Sequence, residues 1–70
     1  MRIELSAPEL LPELIERLVR SDCIAQVVDE RACLVDHVLA RDADEARGEL
    51  LFFLRTWRTL HPEVNVRLVA

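Results

Sequence analysis

Lysine and tyrosine are absent from this chain, Gly48 is its only glycine, and aromatic residues make up 4% of it. Each absence excludes something. A single glycine leaves no glycine-rich cradle for phosphate, so nucleotide binding of that kind is ruled out. All nine basic residues are arginine and the net charge is −4, which argues against a general nucleic-acid binder, because affinity for phosphate backbones rests on a positive field. No apolar run approaches the roughly 18 residues of a membrane span. Glu4 interrupts the segment in which a secretory signal needs an unbroken apolar core. The expectation is a cytoplasmic chain with no membrane partner. In a reducing compartment Cys23 and Cys33 read as small buried hydrophobes.

What is present is a chain of 70 residues, 51% hydrophobic and 31% charged. That composition is globular, and the length predicts one domain over residues 1–70. Chains this short bury only about 60% of the surface their unfolded form exposes. Self-association is a common remedy at this size.

Residues 1–5 alternate Ile3 and Leu5 with Arg2 and Glu4, the period of a half-buried strand. In "SAPELLPELIERLVRS" the period changes to that of a helix. Leu10, Leu14 and Leu18 with Leu11, Ile15 and Val19 form one stripe, and Glu13, Glu16, Arg17 and Arg20 lie opposite. Ser6 and Glu9 match a capping box, and Glu13/Arg17 and Glu16/Arg20 are spaced as helical ion pairs. Pro12 either kinks this helix or opens its regular part as a first-turn proline. Two β-branched runs follow, 23–28 and 32–39, joined by a connection short enough only for a hairpin. Asp42 and Glu45 stand in capping positions of a second helix that His61-Pro62 ends, and Val64, Val66 and Leu68 alternate into a last strand. The order predicts an α+β, ferredoxin-like βαββαβ sandwich. Its four-stranded antiparallel sheet has the first and third strands central and both helices on one face.

The sheet's other face is then open. Arg2, Glu4, Glu63, Asn65 and Arg67 suit water there, but the hairpin does not: either phase leaves apolar residues outside. The phase with Cys33, Val35 and His37 inward leaves Ile24, Val28, Leu34 and Val38 as a continuous apolar patch, the composition of an interface. The second helix carries a further surplus. Advancing about 100° per residue, Leu50, Phe53, Leu54, Trp57 and Leu60 share the core direction, while Leu51 and Phe52 fall outside it beside Gly48, Arg55 and Thr59. Leu51, Phe52 and Arg55 are therefore a second candidate contact, unless the neighbouring helix and hairpin bury both flanks. Gly48, costly inside a helix, would fit a close backbone approach.

No catalytic or metal site is predicted, and no cofactor. Cys33 and His37, four apart on a strand, share a face at roughly 13 Å, beyond hydrogen-bond reach. A hairpin turning at Glu30 pairs Cys33 with Val28 or Asp29 and leaves Cys23 too far for a disulfide. His37 and Asp36 point to opposite faces and cannot share a metal. His61 reads as a helix terminator, and the acids of "DADE" as complementary to a helix N-terminus. RNA-recognition sheets of this layout carry stacking aromatics on the open face, and none is available here.

The layout is similar to that of ACT domains, but these carry a glycine-bearing turn where this chain has "SAPE", and heavy-metal-associated domains would need a CxxC there. Through Met1 to Leu5, Trp57 and His61-Pro62 the chain resembles small bacterial proteins of no assigned activity that open "MRIEL" and end in a tryptophan-bearing helix and "HP". The expected function is a non-enzymatic protein–protein interaction module, a homodimer through the open sheet face or the hairpin edge. Two alternatives are a small ACT-like regulatory domain that binds a metabolite, and an acidic inhibitor or antitoxin-like partner of another protein that uses the second helix.

Overall fold

The computed structural model describes residues 1–69. The alternation at the N-terminus produces β1, Arg2–Leu5, with Ile3 and Leu5 buried and Arg2 and Glu4 half-buried on the opposite side. The leucine-rich segment forms a short 3₁₀ helix, Pro8–Leu10, followed by α1, Leu11–Arg20. Pro12 sits in the first turn of α1, where its missing N–H has no intrahelical partner to lose. The expected capping box is not formed. Ser6 Oγ instead accepts the Asn65 N–H at 2.9 Å, tying the end of β1 to the start of the last strand.

The hairpin is β2, Cys23–Asp29, and β3, Ala32–His37, so the second run ends two residues earlier than its pattern suggested. Its turn is Glu30-Arg31, where Asp29 Oδ1 accepts the Arg31 N–H at 2.8 Å. Neither turn residue has positive φ, so the primed turns that match strand twist are unavailable. A β-bulge at Val28, between the Val27/Cys33 and Asp29/Ala32 pairs, takes up the misfit. α2, Ala43–Leu60, begins where Asp42 accepts the Glu45 N–H at 2.8 Å and ends at His61 before Pro62. The last strand, β4, is Val66–Val69, leaving Val64 in the connection.

The sheet order is β2-β3-β1-β4, with every neighbouring pair antiparallel. This is the ferredoxin-like βαββαβ arrangement, with the 3₁₀ turn added ahead of α1. Ile3 pairs with Cys33 and Leu68, and Val27 with Cys33, so these share a face. The core joins that face to both helices: Ile3, Leu5, Cys33 and Val35 meet Leu14 and Leu18 of α1 and Leu50, Leu54 and Trp57 of α2. Burying one such side chain is worth about 1.5–3 kcal/mol. Two residues assigned to the helix stripes lie outside this core: Val19 is 58% and Leu60 59% exposed. Val19 is the last apolar residue of α1, and Leu60 is the last residue of α2. At the far end of α2 the Trp57 and His61 rings stack with centroids 4.3 Å apart, and His61 Nε2 reaches Glu13 Oε1 at 3.4 Å. Glu13 thus ties the two helices together instead of pairing with Arg17; the Glu16–Arg20 pair forms as expected, at 2.7 Å.

Glycine and left-handed backbone do not coincide. Asp22, which follows α1 and its cap Ser21, has φ 62°, the conformation that favours glycine after a helix. Gly48 lies within α2, and beyond its own chain neighbours and the adjacent helix backbone nothing stands within 4 Å of where its Cβ would be. The close approach expected at Gly48 is not made within the chain. Two substitutions should therefore stabilise the fold. Asp22→Gly relieves αL strain and Gly48→Ala improves helix propensity, each by about 1 kcal/mol. Thermal unfolding followed by circular dichroism should rise by about 4–8 °C for each, and nearly additively for the pair.

Candidate interaction surfaces

The open face divides into two halves. Across the first run Arg67, Glu4, Arg2 and Asp29: Arg67 reaches Glu4 at 2.8 Å, Arg2 reaches Glu4 at 3.2 Å, and Arg2 reaches Asp29 at 3.5 Å. Exposed pairs of this kind contribute about 0–1 kcal/mol each. They do dress this half for water. Ala32, paired with Glu4, lies among them at 1% exposure.

The second half is the hairpin. Ile24 is 64%, Leu34 48% and Val38 58% exposed, and Val28, at the bulge, is 45% exposed. Of the two phases open to the hairpin, the structure adopts the one with Cys33, Val35 and His37 on the helix side, Cys23, Cys33 and Val35 being buried and His37 half-buried. Val27 also belongs to the helix side by its pairing with Cys33 but is 57% exposed, in an open cleft that it shares with Leu11, Pro12 and Ile15 of α1. The aliphatic patch is not continuous, however. Ile24 stands opposite Asp36, and Leu34 opposite Gln26 and Arg2, so apolar and polar side chains alternate across the pair. The aliphatics are neighbours only along the diagonal, at the wider spacing of about 7–8 Å.

On α2, Leu51 is 45% and Phe52 68% exposed, with Arg55 exposed one turn on. Neither flank is wholly buried by the neighbouring elements. Leu51 and Arg55 face a groove of about 520 Å³ toward β4, which also includes Leu54, Arg58, Val66 and Leu68. Phe52 lines a different cleft, between the helices. The seven predicted contact residues thus form three surfaces: Ile24, Val28, Leu34 and Val38 on the hairpin, Leu51 and Arg55 beside β4, and Phe52 over the interhelical cleft.

That cleft, of about 430 Å³, contains the one arrangement of chemically capable groups that reading the sequence missed. Cys23 and His37 are direct cross-strand partners and both line it, with Arg17, Phe53 and Glu49. The Val38 N–H donates to the Asp22 carbonyl at 2.8 Å, which makes the next pair inward, Cys23/His37, a non-hydrogen-bonded one whose side chains come closest. The signal was available: a turn centred between Glu30 and Arg31 with one bulged residue pairs Cys33 with Val27 and, in the same register, Cys23 with His37. Shifting the partner of Cys33 to Val28 or Asp29 hid it.

The pair is nevertheless unlike an activated nucleophile. Burial pushes the Cys23 thiol up from its ordinary value, and the carboxylates of Asp22 and Asp36 push it further. Its Sγ lies 3.5 Å from the Ser21 carbonyl oxygen, a contact made by the thiol and not the thiolate. Burial also raises Cys33, offset in part by a backbone hydrogen bond from Ile3. Both cysteines are free. Among the described residues no three histidine, cysteine or acidic side chains are grouped to hold a metal ion, and no helix is long and apolar enough to cross a membrane.

Thiols that titrate higher in the folded chain than in the unfolded one lend stability that is complete below the ordinary thiol value of 9.0. That contribution fades as pH rises through the folded values. Iodoacetamide should therefore label Cys23 and Cys33 no faster than the chain opens, and unfolding midpoints in urea should fall above pH 9 in the native protein. A double Cys23→Ala, Cys33→Ala variant should lose this part of the alkaline fall. No family model, curated protein or solved structure matches the chain.

Proposed function

We propose that the protein is a non-enzymatic interaction module that self-associates through the uncovered half of its sheet. One observation carries this reading: Ile24, Leu34 and Val38 are each about half to two-thirds exposed on the face opposite both helices. Ile24 and Val38 also border a cleft with Ala43 and Ala46 at the start of α2, and both stay more than half exposed there. Alternation of these aliphatics with Asp36 and Gln26 suits a twofold interface, in which the apolar residues of one copy seat between those of the other. Protonated, buried thiols support the non-enzymatic part of the reading, because the thiolate is the nucleophilic form.

A second reading, a small regulatory module that binds a metabolite, draws support from the interhelical cleft. Arg17 at its mouth has no ion-pair partner among the described residues, and Phe53 and Leu50 provide an apolar wall. Such a ligand would combine a carboxylate with an apolar body.

Static light scattering at micromolar concentration should return twice the chain's 8.1 kDa. Leu34→Asp should return the monomer mass with the circular dichroism unchanged. A monomer in the parent protein would refute self-association. For the second reading, amino acids and other small carboxylates should raise the melting temperature of the parent, and Arg17→Ala should abolish that rise.

A further inference from the structure

We propose that the groove between α2 and the free edge of β4 takes an acidic, extended peptide segment of another protein as a fifth strand of the sheet. Three observations converge there. The first is the strand edge. β4 pairs only with β1, and the Ser6 N–H donates to the Asn65 carbonyl at 3.0 Å. With Ser6/Asn65 a hydrogen-bonded pair, Glu4/Arg67 and Arg2/Val69 are hydrogen-bonded too, and Val66 and Leu68 direct their N–H and C=O groups away from the sheet. No other backbone among the described residues engages them. This is the template that strand addition uses.

The second observation is the wall. Val66 and Leu68 lie on the helix side of the sheet, opposite Leu5 and Ile3, and with Leu51 and Leu54 they make the apolar part of a groove running along β4. An added strand would place alternate side chains into it and the others over the open face.

The third is charge. Arg55 and Arg58 line the same groove, both are exposed, and neither forms an ion pair among the described residues. No acidic residue lines the groove, although the chain as a whole carries −4. The occupant therefore carries aspartate or glutamate near Arg55 and Arg58 and aliphatic side chains toward Leu51 and Leu68. A second copy joined by the same edge would bring the two sets of unpaired arginines together, which disfavours it. RNA is disfavoured as well: the groove has no aromatic side chain on which a base could stack.

Display of random peptides against the Leu34→Asp variant tests this separately from self-association. Selected peptides should alternate aliphatic residues with others and carry acidic residues at one end. A synthetic copy of the consensus should shift the Val66 and Leu68 amide signals, and the Arg55→Glu, Arg58→Glu double variant should bind it about tenfold more weakly. Replacing the peptide's acids with lysine should weaken binding to the parent groove and restore it to the double variant. No enrichment, a basic or proline-rich consensus, unchanged affinity in the double variant, or shifts confined to the hairpin would each overturn the proposal. So would tighter binding of a short oligo-uridylate than of the selected peptide.

Discussion

Among the described residues this sandwich has one interior, and it admits one face of the sheet and one stripe from each helix. The rest of the structure depends on that limit. α1 seats Leu11, Leu14 and Leu18 and has no room for Val19; α2 seats Ala46, Leu50, Leu54 and Trp57 and leaves Leu51, Phe52 and Leu60 outside. On β2 and β3 the same limit forces a choice at every residue, because consecutive side chains point to opposite sides. Cys23, Cys33 and Val35 occupy the interior, so Ile24 and Leu34 must face away from it. Geometry thus sends Ile24 and Leu34 to the hairpin face, Leu51 to the β4 groove and Phe52 to the interhelical cleft, and leaves Val19 and Leu60 exposed near the helix ends.

The polar groups fit around this arrangement. Arg67, Glu4, Arg2 and Asp29 occupy the half of the open face that the aliphatics do not, and Glu13 meets His61 where α2 ends. Ser6, which resembled a helix cap, is instead a clasp between β1 and the approach to β4. These contacts are mostly exposed and individually small. Their role is to fix register and the relative placement of the helices more than to supply bulk stability.

Period and punctuation made the element order and the central and edge strands legible from sequence, but not the phase of the hairpin, because both faces of its strands carry apolar residues. Asp42 and His61-Pro62 act locally, so each could be read where it stood, whereas Pro12 left a kink or a first-turn place open and the structure takes the second. What could not be read depends on contacts distant in the chain. Glu13 has two possible partners, Arg17 one turn away and His61 on the other helix, and only the packing decides between them. Leu60 falls in the core direction on an ideal wheel, but a wheel does not show which residues the rest of the fold covers, and Leu60 is 59% exposed. The Cys23/His37 pairing turned on the register of a hairpin whose bulge has no glycine to announce it. The charged groove beside β4 was half legible: Leu51 and Arg55 stood out as surplus, but Val66 and Leu68, the other wall, come from a strand whose edge becomes visible only once the sheet is assembled.

The bulge at Val28 makes the two margins of the sheet unequal. A sheet with two flat, unprotected margins can join copies head to tail without limit, because each addition leaves a fresh margin for the next, and the product is a fibre. Here β2 carries an irregularity that bends it and interrupts its regular spacing of donors and acceptors, while β4 is short and regular. The regular part of β2, Cys23 to Val27, and the four residues of β4 are thus unlike margins, and the irregularity beside the turn disfavours their joining in register.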